Sequence, residues 1–222
     1  MLLKLKYMPA GKLPYFERLM VFASMFSFGV LFYRCLFTLS LDYTFFLWNL
    51  LVAYMPYVVS KQLFKCGHLG VKAFLLIVLW LLFLPASIHL FTDMLQMHQT
   101  NFSIVFDAFL FLCSAITGIL PGLMSLKNVE TFLSKHVSAI VAKISIPVFI
   151  FLSSYSALSV RFLHLKSWNI VADFKKMLHA SENDIRFPEN NMHIWISILA
   201  LVLLIDLLYK GFKRLYQLEK VG

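Results

Sequence analysis

The sequence predicts an all-α fold: a polytopic membrane bundle of about six transmembrane helices plus a short amphipathic interfacial helix. Three observations predict it. Hydrophobic residues make up 60% of the chain and charged residues 14%, where soluble domains average about 45–50% and 25%. The apolar residues gather in blocks of roughly 20, the length that crosses a hydrocarbon core about 30 Å thick. Lys and Arg fall mostly in the short segments between those blocks, the pattern of topology signals.

The blocks occupy 17–39, 43–64, 71–92, 102–126, 137–161 and 192–212. No polar domain or low-complexity stretch separates them, so the 222 residues read as a single transmembrane domain over 1–222. Every backbone group in lipid needs a partner within its own segment, which makes each block a helix. The first block follows Lys4, Lys6, Lys12 and Arg18. It is too long for a signal-peptide core and has no small-residue cleavage pattern, so it reads as a retained span.

Orientation follows from charge. The amino-terminal arm, the 61–72 and 127–143 connections and the tail together hold 14 of the 20 Lys and Arg residues. The remaining cations share the opposite side with most of the carboxylates. The positive side predicts a cytoplasmic location for both termini, in agreement with the even number of spans. The same distribution argues against nucleic-acid binding, because no polar domain carries a basic stripe.

Spans two to five carry Pro56, Pro85, Pro121 and Pro147, each of which removes a helical hydrogen bond and bends the axis. Ser114, Gly118 and Gly122 repeat every fourth residue, a face that allows a neighbouring helix close approach. The external segment 163–191 divides in two. Ser167 to Leu178 spaces Ile170, Val171, Phe174, Met177 and Leu178 as an amphipathic helix at the outer interface. Ala180 to Asn191 reads as loop.

Ionisable residues within spans are costly and tend to pair inside the bundle. Here they gather at the outer helix ends: Arg34, Asp42, Asn49, His89, Asp93, Asp107, Arg161 and His164. Pro85, His89 and Asp93 share one helical face. The expectation is an outward-facing polar pocket; the alternative is a set of ion pairs, such as Arg161 with Asp93 or Asp107, that only join helix ends. Asp206, four residues before Lys210, is expected to pair with it at the cytoplasmic end.

Other chemistries find little support. His89, His98, Asp93 and Asp107 are suitable zinc donors by type, but no metal-binding spacing joins them. Cys35, Cys66 and Cys113 are far apart and suggest neither a disulfide framework nor a zinc site. Gly-rich phosphate loops and nucleophile elbows are absent. No cofactor is expected.

Several strings together resemble a known family. Phe46-Leu-Trp-Asn-Leu-Leu-Val-Ala-Tyr-Met-Pro-Tyr57, the Trp80–Leu95 stretch, Phe106-Asp107, the Gly118–Leu126 run and Arg161-Phe-Leu-His-Leu-Lys-Ser-Trp168 resemble, in that order, the motifs of the bacterial membrane family called domain of unknown function 1361. The resemblance covers about residues 30–180. It implies a polytopic bacterial membrane protein and brings no assigned activity. Asn49, Asp93, Asp107, Arg161 and Trp168 match the family pattern. Ala86-Ser-Ile-His89 replaces the usual Asn-Ala-Pro-Tyr, and Leu165-Lys-Ser-Trp-Asn169 replaces Arg-Asn-Ser-Trp-Asp.

The ligand-binding candidates are therefore Asn49, His89, Asp93, Asp107, Arg161 and Trp168. The leading expectation is a protein of the bacterial inner membrane that binds or transports a small polar or charged solute. A membrane enzyme acting on a lipid headgroup and an accessory subunit of a membrane complex are the alternatives. The expected partners are the lipid bilayer and a solute or headgroup; sequence does not set the oligomeric state.

Overall fold

The computed structural model describes residues 15–38, 45–92, 104–162, 182, 186, 189 and 191–221. Six helices run through them: α1 (Tyr15–Thr38), α2 (Phe45–Leu63), α3 (Val71–Thr92), α4 (Ile104–His136), α5 (Ala139–Phe162) and α6 (Met192–Val221). Among the described residues all except α2 are long and apolar enough to cross a membrane. The 19-residue α2 is about 28 Å long at 1.5 Å per residue, and it packs against α3 and α4. Large apolar side chains cover the outside of the bundle, among them Phe22 (68% exposed), Met25 (69%) and Leu82 (70%). Lipid is the solvent that such a surface fits.

Helix α4 is the hub. It packs against each of the other five helices, and 56% of its apolar window is buried, against 22–28% in the other four spans. The small-residue face explains part of this. A Cβ on Gly118 would lie 2.5 Å from Leu90 Cδ1 and 2.8 Å from Leu90 Cβ, and one on Gly122 would lie 2.9 Å from Ser87 Cβ. Only glycine lets α3 come this close. Ser87 in turn donates from Oγ to the Ala53 carbonyl at 2.9 Å, next to the Val52 carbonyl whose helical amide partner Pro56 removes.

Two boundaries differ from expectation. The fourth span does not stop near 126: α4 continues to His136 for 33 residues, about 50 Å. Most of the expected 127–143 connection is therefore helix, and only Val137 and Ser138 join α4 to α5. The apolar period persists after the charge begins, because Val129, Phe132 and Leu133 extend the buried face of Leu126. Hydropathy marked where the membrane ends, not where the helix ends. Likewise α6 continues past 212 to Val221, with Tyr209 and Phe212 buried. Within the external segment, Glu182 and Arg186 are helical and joined by an ion pair of 2.6 Å where a loop was expected. The proposed 167–178 helix lies outside the described residues.

Contacts show that the helices alternate in direction. The start of α1 meets the end of α6, with the Phe16 ring 4.9 Å from Phe212 and 5.5 Å from Tyr216. Glu17 accepts from Tyr57 Oη at 2.5 Å and pairs with Lys61 Nζ at 2.7 Å. Glu130 accepts from Tyr209 Oη and Lys213 Nζ, both at 2.5 Å. His136 Nε2 is 3.3 Å from the Gly67 carbonyl in the α2–α3 connection. The basic connections thus share one end of the bundle. The Asp206–Lys210 pair forms there as expected, at 2.5 Å.

Candidate functional site

At the opposite end, Arg34 and Asp107 close on each other. Arg34 Nε donates to Asp107 Oδ1 at 2.7 Å and Nη2 to Oδ2 at 3.3 Å, and each residue is 1% exposed. Asp107 sits in the first turn of α4, where the helix dipole favours a carboxylate. Arg34 approaches from the last turns of α1. Leu31, Ala53, Leu90, Leu110 and Phe111 form an apolar cluster at the same end, with Val30, Cys35 and Leu50 packed on it. The two-point geometry matches the planar fork of guanidinium to a carboxylate in a water-poor setting.

Asp107 meets Arg34, from a helix that spacing alone could not make adjacent; the pairing of Arg161 with Asp93 or Asp107, offered as an alternative, needs the Arg161 side chain, which lies outside the described residues. Of the other candidates, His89 ends α3 with Nδ1 3.2 Å from Thr92 Oγ1, which itself donates to the His89 carbonyl at 2.8 Å. Asn49 is half-buried in the first turns of α2. Asn49, His89 and Asp107 therefore stand at one end of the bundle, together with the backbone of Arg161 in the last turn of α5. Asp93, His98, Trp168 and the Arg161 side chain lie outside the described residues. A narrow cleft of about 10 Å³ opens between α1, α2 and α4, lined by Ser27, Phe28, Leu31, Leu47, Leu50 and Ser114. That is room for about one water.

A second polar group escaped the sequence reading. Helix α5 carries Ser153-Ser-Tyr-Ser-Ala-Leu-Ser159 within a membrane span. The hydroxyls of Ser153, Ser154, Tyr155 and Ser159, and the indole N–H of Trp80 on α3, are sealed from water and have no hydrogen-bond partner among the described residues. Ser153 is 1% exposed, and Ser154 and Trp80 are fully buried. Elsewhere in this chain helical hydroxyls fold back on their own backbone: Ser24 to Met20, Thr131 to Lys127, Ser134 to Glu130, Ser145 to Val141 and Ser197 to His193, all at 2.7–2.8 Å. Ser153, Ser154 and Ser159 do not. Five hydroxyls in seven residues of a span are a signal legible in the sequence, although each costs less to bury than a charge.

Helical spacing arranges these groups. Phe149 and Ser153 share a face, and the Phe149 ring meets Trp80 edge-on at 5.2 Å. Tyr155 and Ser159 share another, where Tyr155 lies 6.0 Å from the Trp195 ring of α6. Ser154 falls between them. The groups occupy the half of α5 nearer the Arg34–Asp107 end.

A helical membrane bundle with a buried ion pair at one end and buried hydroxyls on α5 is the class that this fold and site define. Within that class, the family model described as "Protein of unknown function (DUF1361)" matches residues 48–206. The chain belongs to that family. No curated protein and no solved structure matches it.

Proposed function

We propose that this protein binds or transports a small polar solute through the outer half of the bundle, and that the described conformation is its closed state. The observation that carries this reading is the set of unpartnered polar groups on α5 and Trp80. A buried polar group left without a hydrogen bond costs about 1–3 kcal/mol, and lipid offers no replacement. A chain selected for stability alone would place alanine at such serines. Their retention fits a second state in which solute or water meets them, the usual exchange of stability for function. Asn49 and His89 stand toward the mouth of the same half. Asp107, already engaged by Arg34, serves the scaffold in this reading. The location is the bacterial inner membrane, with both termini cytoplasmic.

The test is the sign of a stability change. Ser153→Ala, Ser154→Ala and Ser159→Ala are each expected to raise the unfolding midpoint in detergent, by about 1 kcal/mol. Ser87→Ala, which removes a made hydrogen bond, is expected to lower it. Native mass spectrometry of gently extracted protein should show a small mass on the wild type that the triple alanine variant loses. Lower stability in the α5 variants, with no mass lost, would overturn the reading.

The accessory-subunit reading draws on one specific observation, the closed Arg34–Asp107 pair, which acts as a strut between α1 and α4. Under that reading the α5 alanine variants leave every bound mass unchanged. Among the described residues nothing favours the lipid-headgroup enzyme.

A further inference from the structure

We infer that the solute met by Trp80 of α3 and the hydroxyls of α5 is uncharged and carries hydrogen-bond acceptors; this rests on the binding reading above. The chemistry of the unpartnered groups argues for it. Trp80 Nε1 can only donate, so its partner must accept. The hydroxyls of Ser153, Ser154, Tyr155 and Ser159 donate and accept, and they carry no charge. An ion bound there would lose its hydration without gaining a counter-charge, the costliest exchange a membrane interior offers.

Among the described side chains, the neighbouring charges do not supply one. The acidic and basic side chains described in this half of the spans are Arg34, His89, Asp107 and His193. Arg34 and Asp107 neutralise each other at 2.7 Å, and His89 Nδ1 is taken up by Thr92. Aromatic rings stand beside these groups, Phe149 against Trp80 and Trp195 against Tyr155. Such rings suit the apolar faces of a small neutral molecule, while hydroxyls and the indole meet its polar edge.

Cysteine accessibility with three methanethiosulfonates of different charge tests this without knowledge of the natural solute. The background carries Cys35→Ala, Cys66→Ala and Cys113→Ala. Ser153→Cys, Ser154→Cys and Ser159→Cys are made singly in it, so that loss of one variant to misfolding leaves two. Ser125→Cys is the reference, since Ser125 is fully buried and its Oγ is bonded to the Gly122 carbonyl at 2.7 Å. Intact proteoliposomes are treated with the neutral 2-hydroxyethyl, the anionic 2-sulfonatoethyl or the cationic trimethylammonium reagent, and labelling rates are read by mass.

The expected result is labelling of the α5 cysteines by the neutral reagent, about tenfold or more faster than by either charged one, with Ser125→Cys unlabelled. Equal rates for neutral and charged reagents would overturn the uncharged class while leaving the binding reading in place. No labelling of any α5 cysteine by any reagent would overturn both. Equal neutral labelling of Ser125→Cys would show entry through lipid and also overturn the inference.

Discussion

The hydrogen-bonding state of single side chains separates two kinds of polar residue in this bundle. Arg34 and Asp107 hold each other at 1% exposure, so neutralising Asp107 removes a buried counter-charge from Arg34. Asp107→Asn is expected to destabilise the protein by about 3–5 kcal/mol, measured by unfolding in detergent. The Arg34→Gln, Asp107→Asn double variant should cost clearly less than the two single changes summed, and an additive pair would show that the contact carries no coupling. The α5 serines have the opposite signature, since their removal is expected to stabilise. Both sets are polar residues in apolar helices, and sequence treats them alike. Only their partners distinguish a strut from a site.

Between helices, the decisive contacts involve the smallest residues. Leu90 sits on Gly118 and Ser87 on Gly122, so side chains of α3 rest on the backbone of α4. Gly118→Ala is expected to cost about 1–3 kcal/mol by overpacking. Gly29→Ala, at a site with no heavy atom within 4 Å of the new methyl group, should be neutral or stabilising by up to about 1 kcal/mol. Matching losses at the two sites would show that close approach is not what Gly118 provides. The extensions of α4 and α6 meet through Glu130, Tyr209 and Lys213, and Lys127 Nζ lies 3.4 Å from the centre of the Tyr216 ring. Glu130→Gln is expected to speed amide exchange in 127–136 and 209–218, with the outer halves of α1 and α4 unchanged. A uniform change across the bundle would assign Glu130 to global stability instead.

At the scale of the whole molecule, the two ends of the bundle differ in kind. The basic end is cross-linked by two similar clasps in which Tyr and Lys, four residues apart on one helix, grip a Glu on another: Tyr57 and Lys61 on Glu17, Tyr209 and Lys213 on Glu130. The other end holds the buried ion pair and the unpartnered hydroxyls. Under the proposed function, the rearrangement belongs to the half that holds the α5 hydroxyls, with the basic end as its anchor. The orientation itself is open to a fusion experiment. Green fluorescent protein joined after Gly222 is expected to fluoresce in a bacterial host, and alkaline phosphatase at the same point is expected to stay inactive; an active phosphatase would reverse the assignment.

By itself the sequence determined the membrane class, the six helices, the shared side of the basic connections and the Asp206–Lys210 pair. Each depends on composition, on local spacing or on charge near a helix end, properties that a chain carries without knowing its neighbours. It also pointed to Gly118 and Gly122 as a contact face, although not to Leu90 and Ser87 as what rests on it. Tertiary structure decided the rest. It extended α4 and α6 beyond the apolar blocks, because burial of Val129, Phe132 and Phe212 against other helices continues where lipid no longer selects for hydropathy. It also joined Asp107 to Arg34 across 73 residues and left the hydroxyls of Ser153, Ser154, Tyr155 and Ser159 without partners among the described residues. Spacing fixes which residues share a face of one helix; which helix that face meets is set only when all six pack together.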